Sequence, residues 1–499
     1  MIEAYGGARR VTESHAVNIL NATVSGELEV FERVQYDRLF TPKALAAAVR
    51  RQVFPRILIL DSTRLGSISA TGQVKKRLFA GWPGEALLQV HAWRRIGLGL
   101  YRGWAPLSED APAVDAAEAW EACLAFQPDV IYYRPHDRPK GFHQWAEAVI
   151  DRLGVPVVTH LMDDWMARFE DGADAEKSLR SILWRSAACL SIGEAMSTAF
   201  SERYGVPFYP VANCVEPEEW TVLDRRRRAA RASEPVVIRY VGGLAEDMTL
   251  ASVVDVACAV DGLHEEYGLS FEVYTMGPWL AAGCSALKGF RGVTVHEGNM
   301  SEKAHRHLLL ESDLLVIAYN FDEASMRYVR YSVANKLPEC LASGAPVLAY
   351  GPRGLATIDY LANHGVAEVV SERDPLRVSS ALRRLAEDSD HARNLGERGR
   401  AFVFERHACE GVRAGFHEIL VEAAARHGWA ENQIPRSASR VAADPMAKSQ
   451  VPLMQMAKYS LHDLVANYLL RRYPAIARIV RSAVFRLRAA LAAFRRRTL

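Results

Sequence analysis

The 499-residue chain contains no run of about 18 apolar residues, the length that crosses a bilayer. Its first fifty residues hold no uninterrupted apolar core behind a basic start, so no secretory signal is read there. Cysteine is sparse and dispersed: seven residues (Cys123, Cys189, Cys214, Cys258, Cys284, Cys340, Cys409) with no C-x-x-C pair. Such a set fits reduced thiols in a cytosol and argues against a disulfide framework or a structural zinc site. No His/Cys cluster has metal-ligand spacing, so no metal is expected. These absences leave a cytoplasmic or membrane-peripheral globular protein.

With 49% hydrophobic and 24% charged residues, the composition is that of a soluble globular chain. Its length exceeds one ordinary core and points to two large domains with additions. Charge is nearly balanced overall at +2, but unevenly placed. Residues 451–499 carry ten Lys or Arg against one acid, Asp463, or +9, which leaves −7 on the rest. Within 475–499, Ile476, Val480, Ala483, Leu487, Leu491 and Phe494 gather on one helical arc at 100° per residue. Arginines spread over the other side. A basic amphipathic helix of this kind is expected to lie on an anionic membrane surface.

From Arg56 onward, short apolar β-prone runs alternate with helical patterns. The runs are Ile57–Leu60, Leu87–Val90, Val130–Tyr133, Pro156–Thr159, Cys189–Ile192 and Phe208–Val211. A polar break at about 217–234 includes Arg225 to Arg228, read as a solvated linker and not as a nucleic-acid site. Alternation restarts with Val236–Gly242, Phe271–Gly277, Val293–Gly298, Asp313–Tyr319, Pro346–Tyr350 and Ala367–Val370. The expected organisation is an extension over 1–54, an α/β domain over 55–216, a second over 235–429, a flexible linker over 430–450 and the tail. Both α/β domains should be Rossmann-like with parallel sheets, whose ligands bind beyond the carboxyl ends of the strands.

The most informative stretch is Tyr331 to Gly351, YSVANKLPECLASGAPVLAYG. A short helix carrying Lys336 and Glu339 at its start runs through a Gly344 turn into an apolar strand. A helix start favours an anion, and a carboxylate three residues after the lysine can take sugar hydroxyls. Ser332, Lys336, Glu339, Ala342, Gly344, Pro346 and Val347 follow the pattern S-x-x-x-K-x-x-E-x-x-A-x-G-x-P-V. The stretch thereby resembles the nucleotide-sugar site of family-four-like glycosyltransferases with the GT-B fold. That resemblance spans about 55–428 and is strong only over 332–347. It implies two facing Rossmann-like domains, transfer of a hexosyl group with retention, and no cofactor beyond a nucleotide diphosphate sugar donor. A carbohydrate or lipid-linked acceptor in cell-surface polysaccharide synthesis at the inner face of the membrane would follow. An epimerase acting on sugar nucleotides and a non-catalytic GT-B-like scaffold are the alternatives.

The same resemblance distributes roles. Lys336, with Arg330, neutralises the leaving diphosphate, and Ser332 and Glu339 belong to the donor site, Glu339 on the ribose. Gly242 and Gly243 end the first strand of the second domain, where backbone can approach a phosphate. A cation that often follows this turn is missing, since Ala245, Glu246, Asp247 and Met248 stand there. Gly277 ends the next strand, and Gly298 and Asn299 sit beside the base. Eight positions before Glu339, where many retaining members carry a second acid, stands Tyr331. In the first domain, Gly66, Thr71 and Gly72 belong to a polar loop that is not a G-x-G-x-x-G motif, with Thr71 as the expected helix cap. His160, Asp163 and Asp164 follow a strand and are the candidates for orienting the acceptor hydroxyl.

Overall fold

The computed structural model describes residues 20–21, 32–33, 54–93, 97–104, 113–136, 139–168, 173–220 and 235–431. The expectations for the rest of the N-terminal extension, for linker positions 221–234 and for everything beyond 431, the basic tail included, lie outside these residues. The chain divides into two units, Met1–Pro55 and Arg56–Leu499. In the first, Leu20–Asn21 pairs in parallel with Glu32–Arg33.

The second unit contains two α/β halves. The first half has strands β1 (Ile57–Leu60), β2 (Leu87–Trp93), β3 (Gly97–Arg102), β4 (Val130–Tyr133), β5 (Val157–Leu161), β6 (Ala188–Ser191) and β7 (Phe208–Pro210). Their order in the sheet is β3-β2-β1-β4-β5-β6-β7, parallel except for the β2–β3 pair. The second half has β8 (Val236–Val241), β9 (Leu269–Thr275), β10 (Val293–Glu297), β11 (Leu314–Ala318), β12 (Val347–Tyr350) and β13 (Glu368–Val370). They form an all-parallel sheet in the order β10-β9-β8-β11-β12-β13. Central strands are apolar throughout because both faces are covered: every residue of β1, β4, β5, β11 and β12 is buried. The edge strand β10 keeps exposed Thr294 and Glu297.

Helices cover the sheets. In the first half these are α1 (Ala70–Phe79), α2 (Ala116–Phe126), α3 (Lys140–Leu153), α4 (Ala173–Arg185) and α5 (Glu194–Tyr204). The second half has α6 (Leu250–Tyr267), α7 (Pro278–Ala286), α8 (Glu302–Leu310), α9 (Glu323–Val329), α10 (Leu337–Ala342), α11 (Ala356–His364), α12 (Pro375–Glu387) and α13 (Ser389–Arg406). Their faces follow helical periodicity. In α12 the buried positions are Val378, Ala381, Leu382 and Leu385, spaced i, i+3, i+4, i+7, and they join the core under β8 and β9. The last helix, α14 (Cys409–Glu431), returns to the first half, where Phe416 packs edge-on against Phe79 at 5.0 Å.

Loops at the carboxyl ends of both sheets meet across a cleft. The turn Trp165–Arg168 after β5 packs against α9, which follows β11. Gly193 after β6 faces Val333, which a Cβ on the glycine would approach to 3.0 Å.

The chain crosses between the halves twice, and the crossings run side by side. Val215 N donates to His407 O and Cys409 N to Val215 O, both at 2.9 Å. The expectation of seven reduced thiols is corrected here. Cys214 and Cys409, 195 residues apart, form a disulfide, because the two crossings bring their Cα atoms to 4.9 Å. The bond closes a loop around the whole second half. Chain entropy for so long a loop is worth roughly 5 kcal/mol. Cys214→Ser should therefore lower the unfolding free energy in urea by several kcal/mol, with Cys258→Ser, an exposed free thiol, as the control. Equal stability of the two variants would mean that the linkage does not restrain the chain.

Candidate active site

The second half builds its part of the site from the turn after β8. Gly242 adopts φ +155°, and a Cβ there would lie 3.1 Å from Lys336 Nζ and 3.3 Å from the Tyr240 hydroxyl. Only glycine leaves that space. The turn is fixed from below, because Tyr240 Oη and Thr249 Oγ1 both donate to Gly243 O, at 2.7 and 2.8 Å. Thr249 also stands at the head of α6. Above the turn lies Lys336, whose Nζ donates to Val241 O at 3.1 Å and sits 3.8 Å from the centre of the Tyr240 ring. Among the described residues Lys336 has no ion-pair partner. Burial pulls its pKa down to about 8. A half-buried cation held by a carbonyl and an aromatic face is costly to leave uncompensated, and it is poised for an anion. Its helix, α10, has six residues and adds little dipole, so the positive charge rests on Lys336 itself.

Glu339 lies in the first turn of α10 and is clamped from two sides. Arg77 Nη2, from α1 across the cleft, donates to its Oε1 at 2.5 Å, and His305 Nε2, from α8, donates to its Oε2 at 3.2 Å. Burial pushes the carboxyl pKa up, but the His305 hydrogen bond and the Arg77 charge outweigh it and hold it at about 2. Glu339 is thus an acceptor-only group at any working pH. Next to this clamp, Lys76 pairs with Glu302 at 2.7 Å, a second link between the halves. Arg77 and His305 escape the sequence reading, since they lie 262 and 34 residues from Glu339 and no motif joins them.

The other donor-side candidates are distributed around this centre. Gly277 holds φ +61° ahead of α7, and Gly298 packs so closely on β9 that a Cβ would come within 3.2 Å of Thr275 N. Asn299 is exposed on the same loop. Ser332 is buried, with its Oγ unpartnered among the described residues. Arg330 is exposed at the end of α9, and its side chain lines a groove that does not include Lys336. The structure therefore brings Lys336 to Gly242.

On the first-half side, the polar loop after β1 is rigidly pinned. Asp61, fully buried, takes two hydrogen bonds from Arg134 at 2.9 Å each and an ion pair from Lys75 at 2.6 Å. Burial alone would raise its pKa, yet Arg134 and Lys75 drive it far below the usual carboxylate range. Burial also takes Lys75 down to about 8, although Asp61 opposes this. Gln89 accepts from Leu65 N at 2.7 Å and donates to Thr63 O at 2.8 Å. Gly66 has φ +72° and donates to Gly72 O at 3.0 Å. A Cβ on Gly72 would run into Ser67. The helix cap is Ser69, whose Oγ accepts from Gly72 N at 3.1 Å; Thr71 falls inside α1, which corrects the expected capping residue by two positions.

His160 lies inside β5, one residue before its end and not after the strand as expected; it is fully buried and shares a 2.8 Å hydrogen bond with the Tyr132 hydroxyl. Burial and the Arg134 charge lower its pKa to about 3, so it stays neutral near pH 7. Its Nε2 has no partner among the described residues. Asp164 is committed to Arg203 through two hydrogen bonds, at 3.0 and 2.9 Å, while Asp163 is only partly buried. Arg203 also lies 5.8 Å from the Tyr331 ring across the cleft. This environment suits His160 to orienting a hydroxyl and not to accepting a proton at neutral pH.

Comparison with known proteins follows the same lines. Residues 258–416 match the family model described as glycosyl transferase-like. No curated protein matches the chain by sequence. Among solved structures, HepE of Anabaena in complex with UDP-glucose superposes with a TM-score of 0.56 at 12% identity, covering 74% of this chain and 100% of that one. Sucrose-phosphate synthase of Thermosynechococcus elongatus gives 0.53 at 11% identity, with 74% and 100% covered. The chain has the GT-B fold that these proteins share.

Proposed function

We propose that the protein transfers a hexosyl group from a nucleotide diphosphate sugar to a carbohydrate or lipid-linked acceptor, in cell-surface polysaccharide or glycoconjugate synthesis. The observation that carries this reading is Lys336, a half-buried cation with no ion-pair partner among the described residues, against the Gly242–Gly243 turn at the mouth of a parallel sheet. A donor diphosphate laid on that turn supplies the missing negative charge. Glu339, held ionised, accepts from the ribose hydroxyls, and the loop at Gly298 and Asn299 meets the base. The acceptor oxygen bonds to the anomeric carbon as the bond from that carbon to the phosphate oxygen breaks, and the hydroxyl proton passes to the departing phosphate oxygen. Lys336 takes up the charge released on the leaving group, so electrostatics, not a metal, does the work in this reading. Asp163 and His160 would orient the acceptor hydroxyl.

HepE has been crystallised with UDP-glucose and with UDP, so UDP is the first nucleotide to try. In a thermal-shift titration with UDP, GDP and ADP, ligand at 100 times its dissociation constant adds about 2.7 kcal/mol. One nucleotide should raise Tm in the wild type and lose that effect in Glu339→Ala. No shift with any of the three would remove the donor reading. The basic tail belongs to the same proposal as a contact with the anionic inner face of the membrane. Full-length protein should float with anionic liposomes and a chain truncated after residue 450 should not; equal flotation would refute that contact.

A further inference from the structure

A concavity of about 1030 Å³ lies apart from Lys336 and Glu339, between α5 of the first half, α11 of the second and the returning helix α14. This is at the upper end of the roughly 300–1,000 Å³ usual for small-molecule sites, ample for several linked rings. Its lining is mixed in a particular way. Tyr209, Tyr331 and Tyr360 contribute aromatic rings from three different segments, and Tyr209 is 48% exposed. Carboxylates Glu194 and Asp359, the Asn363 amide and the Arg330 guanidinium add planar hydrogen-bonding groups. Aromatic faces suit the apolar C–H faces of pyranose rings, and planar two-point groups suit neighbouring hydroxyl pairs. Four carboxylates against two guanidinium groups in the lining disfavour an anionic ligand, and the number of polar groups disfavours a lipid chain.

The floor of the groove adds an independent observation. Gly411 and Gly415 lie four residues apart on one face of α14, inside a 23-residue helix where glycine weakens the helix. A Cβ added at either meets nothing within 4 Å, so no neighbour among the described residues requires these glycines. They open the space above the helix backbone to an occupant. The far wall, Tyr331 and Val333, belongs to the segment that leads into Lys336.

We propose that this groove binds a neutral oligosaccharide, the part of the acceptor glycan removed from the reacting hydroxyl. The proposal rests on the glycosyltransferase reading above. Gly415→Leu fills the groove while improving helix propensity, so loss of binding in this variant would not come from a weakened helix. The full-length wild type, Gly415→Leu, Tyr209→Ala and Glu339→Ala would each be applied to a printed array of neutral oligosaccharides of two to six units. Nucleotide thermal shift and Tm would be recorded alongside. The wild type should retain at least one oligosaccharide, with binding at least tenfold weaker in Gly415→Leu and Tyr209→Ala and unchanged in Glu339→Ala. Gly415→Leu should keep its Tm and any nucleotide shift. No glycan binding by the wild type, or binding that survives both groove substitutions, overturns the inference. A nucleotide shift without glycan binding leaves the donor reading standing and removes only this one. Groove-dependent glycan binding without any nucleotide shift does the reverse.

Discussion

Lys336→Ala is expected to lower kcat/KM by about 10²–10³, the loss found when one preorganised donor to a developing anion is removed. In free energy that is about 2.7–4 kcal/mol of transition-state stabilisation. The substitution should be mild for the fold. It deletes a half-buried charge that, among the described residues, has no carboxylate partner and makes one hydrogen bond, to Val241 O. Its pH signature is distinctive because two effects of the same group run in opposite directions. Burial sets the free enzyme's Lys336 at about 8, below the ordinary lysine value of 10.5. Between these values the unfolded chain binds more protons, so this group adds stability as pH rises from about 8 toward 10.5. Donor binding needs the protonated form, so donor affinity should be flat below pH 7.5 and fall by up to tenfold per pH unit above 8. Lys336→Met should bind weakly with no such fall. A wild-type Kd that stays constant from pH 6 to 9.5 would exclude Lys336 from the diphosphate.

How much of this was legible beforehand depends on whether a feature is local. Runs such as Ile57–Leu60, Leu314–Ala318 and Val347–Tyr350 are buried on both faces of parallel sheets, and their unbroken apolar character announces that directly. Strand β3, Gly97–Arg102, was missed. Two of its six residues are glycine, and it pairs antiparallel at the sheet edge, where the apolar signal thins. The cap of α1 is ambiguous in the sequence because Ser67, Ser69 and Thr71 are all plausible caps, and only the fold selects Ser69. Lys336 and Glu339 were visible through spacing within a single helix start. Their environment was not: the clamp of Arg77 and His305 on Glu339, and the pairing of Cys214 with Cys409, join segments that only the two-half topology brings together.

The buried triad behind the loop after β1 supports the second large effect, Asp61→Asn. One carboxylate holds two cations, Lys75 at 2.6 Å and Arg134 at 2.9 Å, and all three side chains are at least nine-tenths buried. Removing the single negative charge leaves two positive groups facing each other out of water. Breaking a buried pair in this way costs about 3–5 kcal/mol. Arg134 cannot escape by losing its proton, but Lys75 can, since burial already holds it at about 8 with Asp61 present. Without Asp61 its folded pKa must fall further below 10.5. The unfolded chain then binds more protons over a wider range, and stability of the variant should climb with pH from neutrality toward 10. Urea unfolding of Asp61→Asn should therefore show a larger deficit against wild type at pH 6 than at pH 9. Adding Lys75→Met, which removes one of the two stranded cations, should recover much of the loss, so that the two changes are far from additive. A deficit independent of pH, or additive losses in the double variant, would mean that packing of the loop, and not charge, holds Asp61 in place.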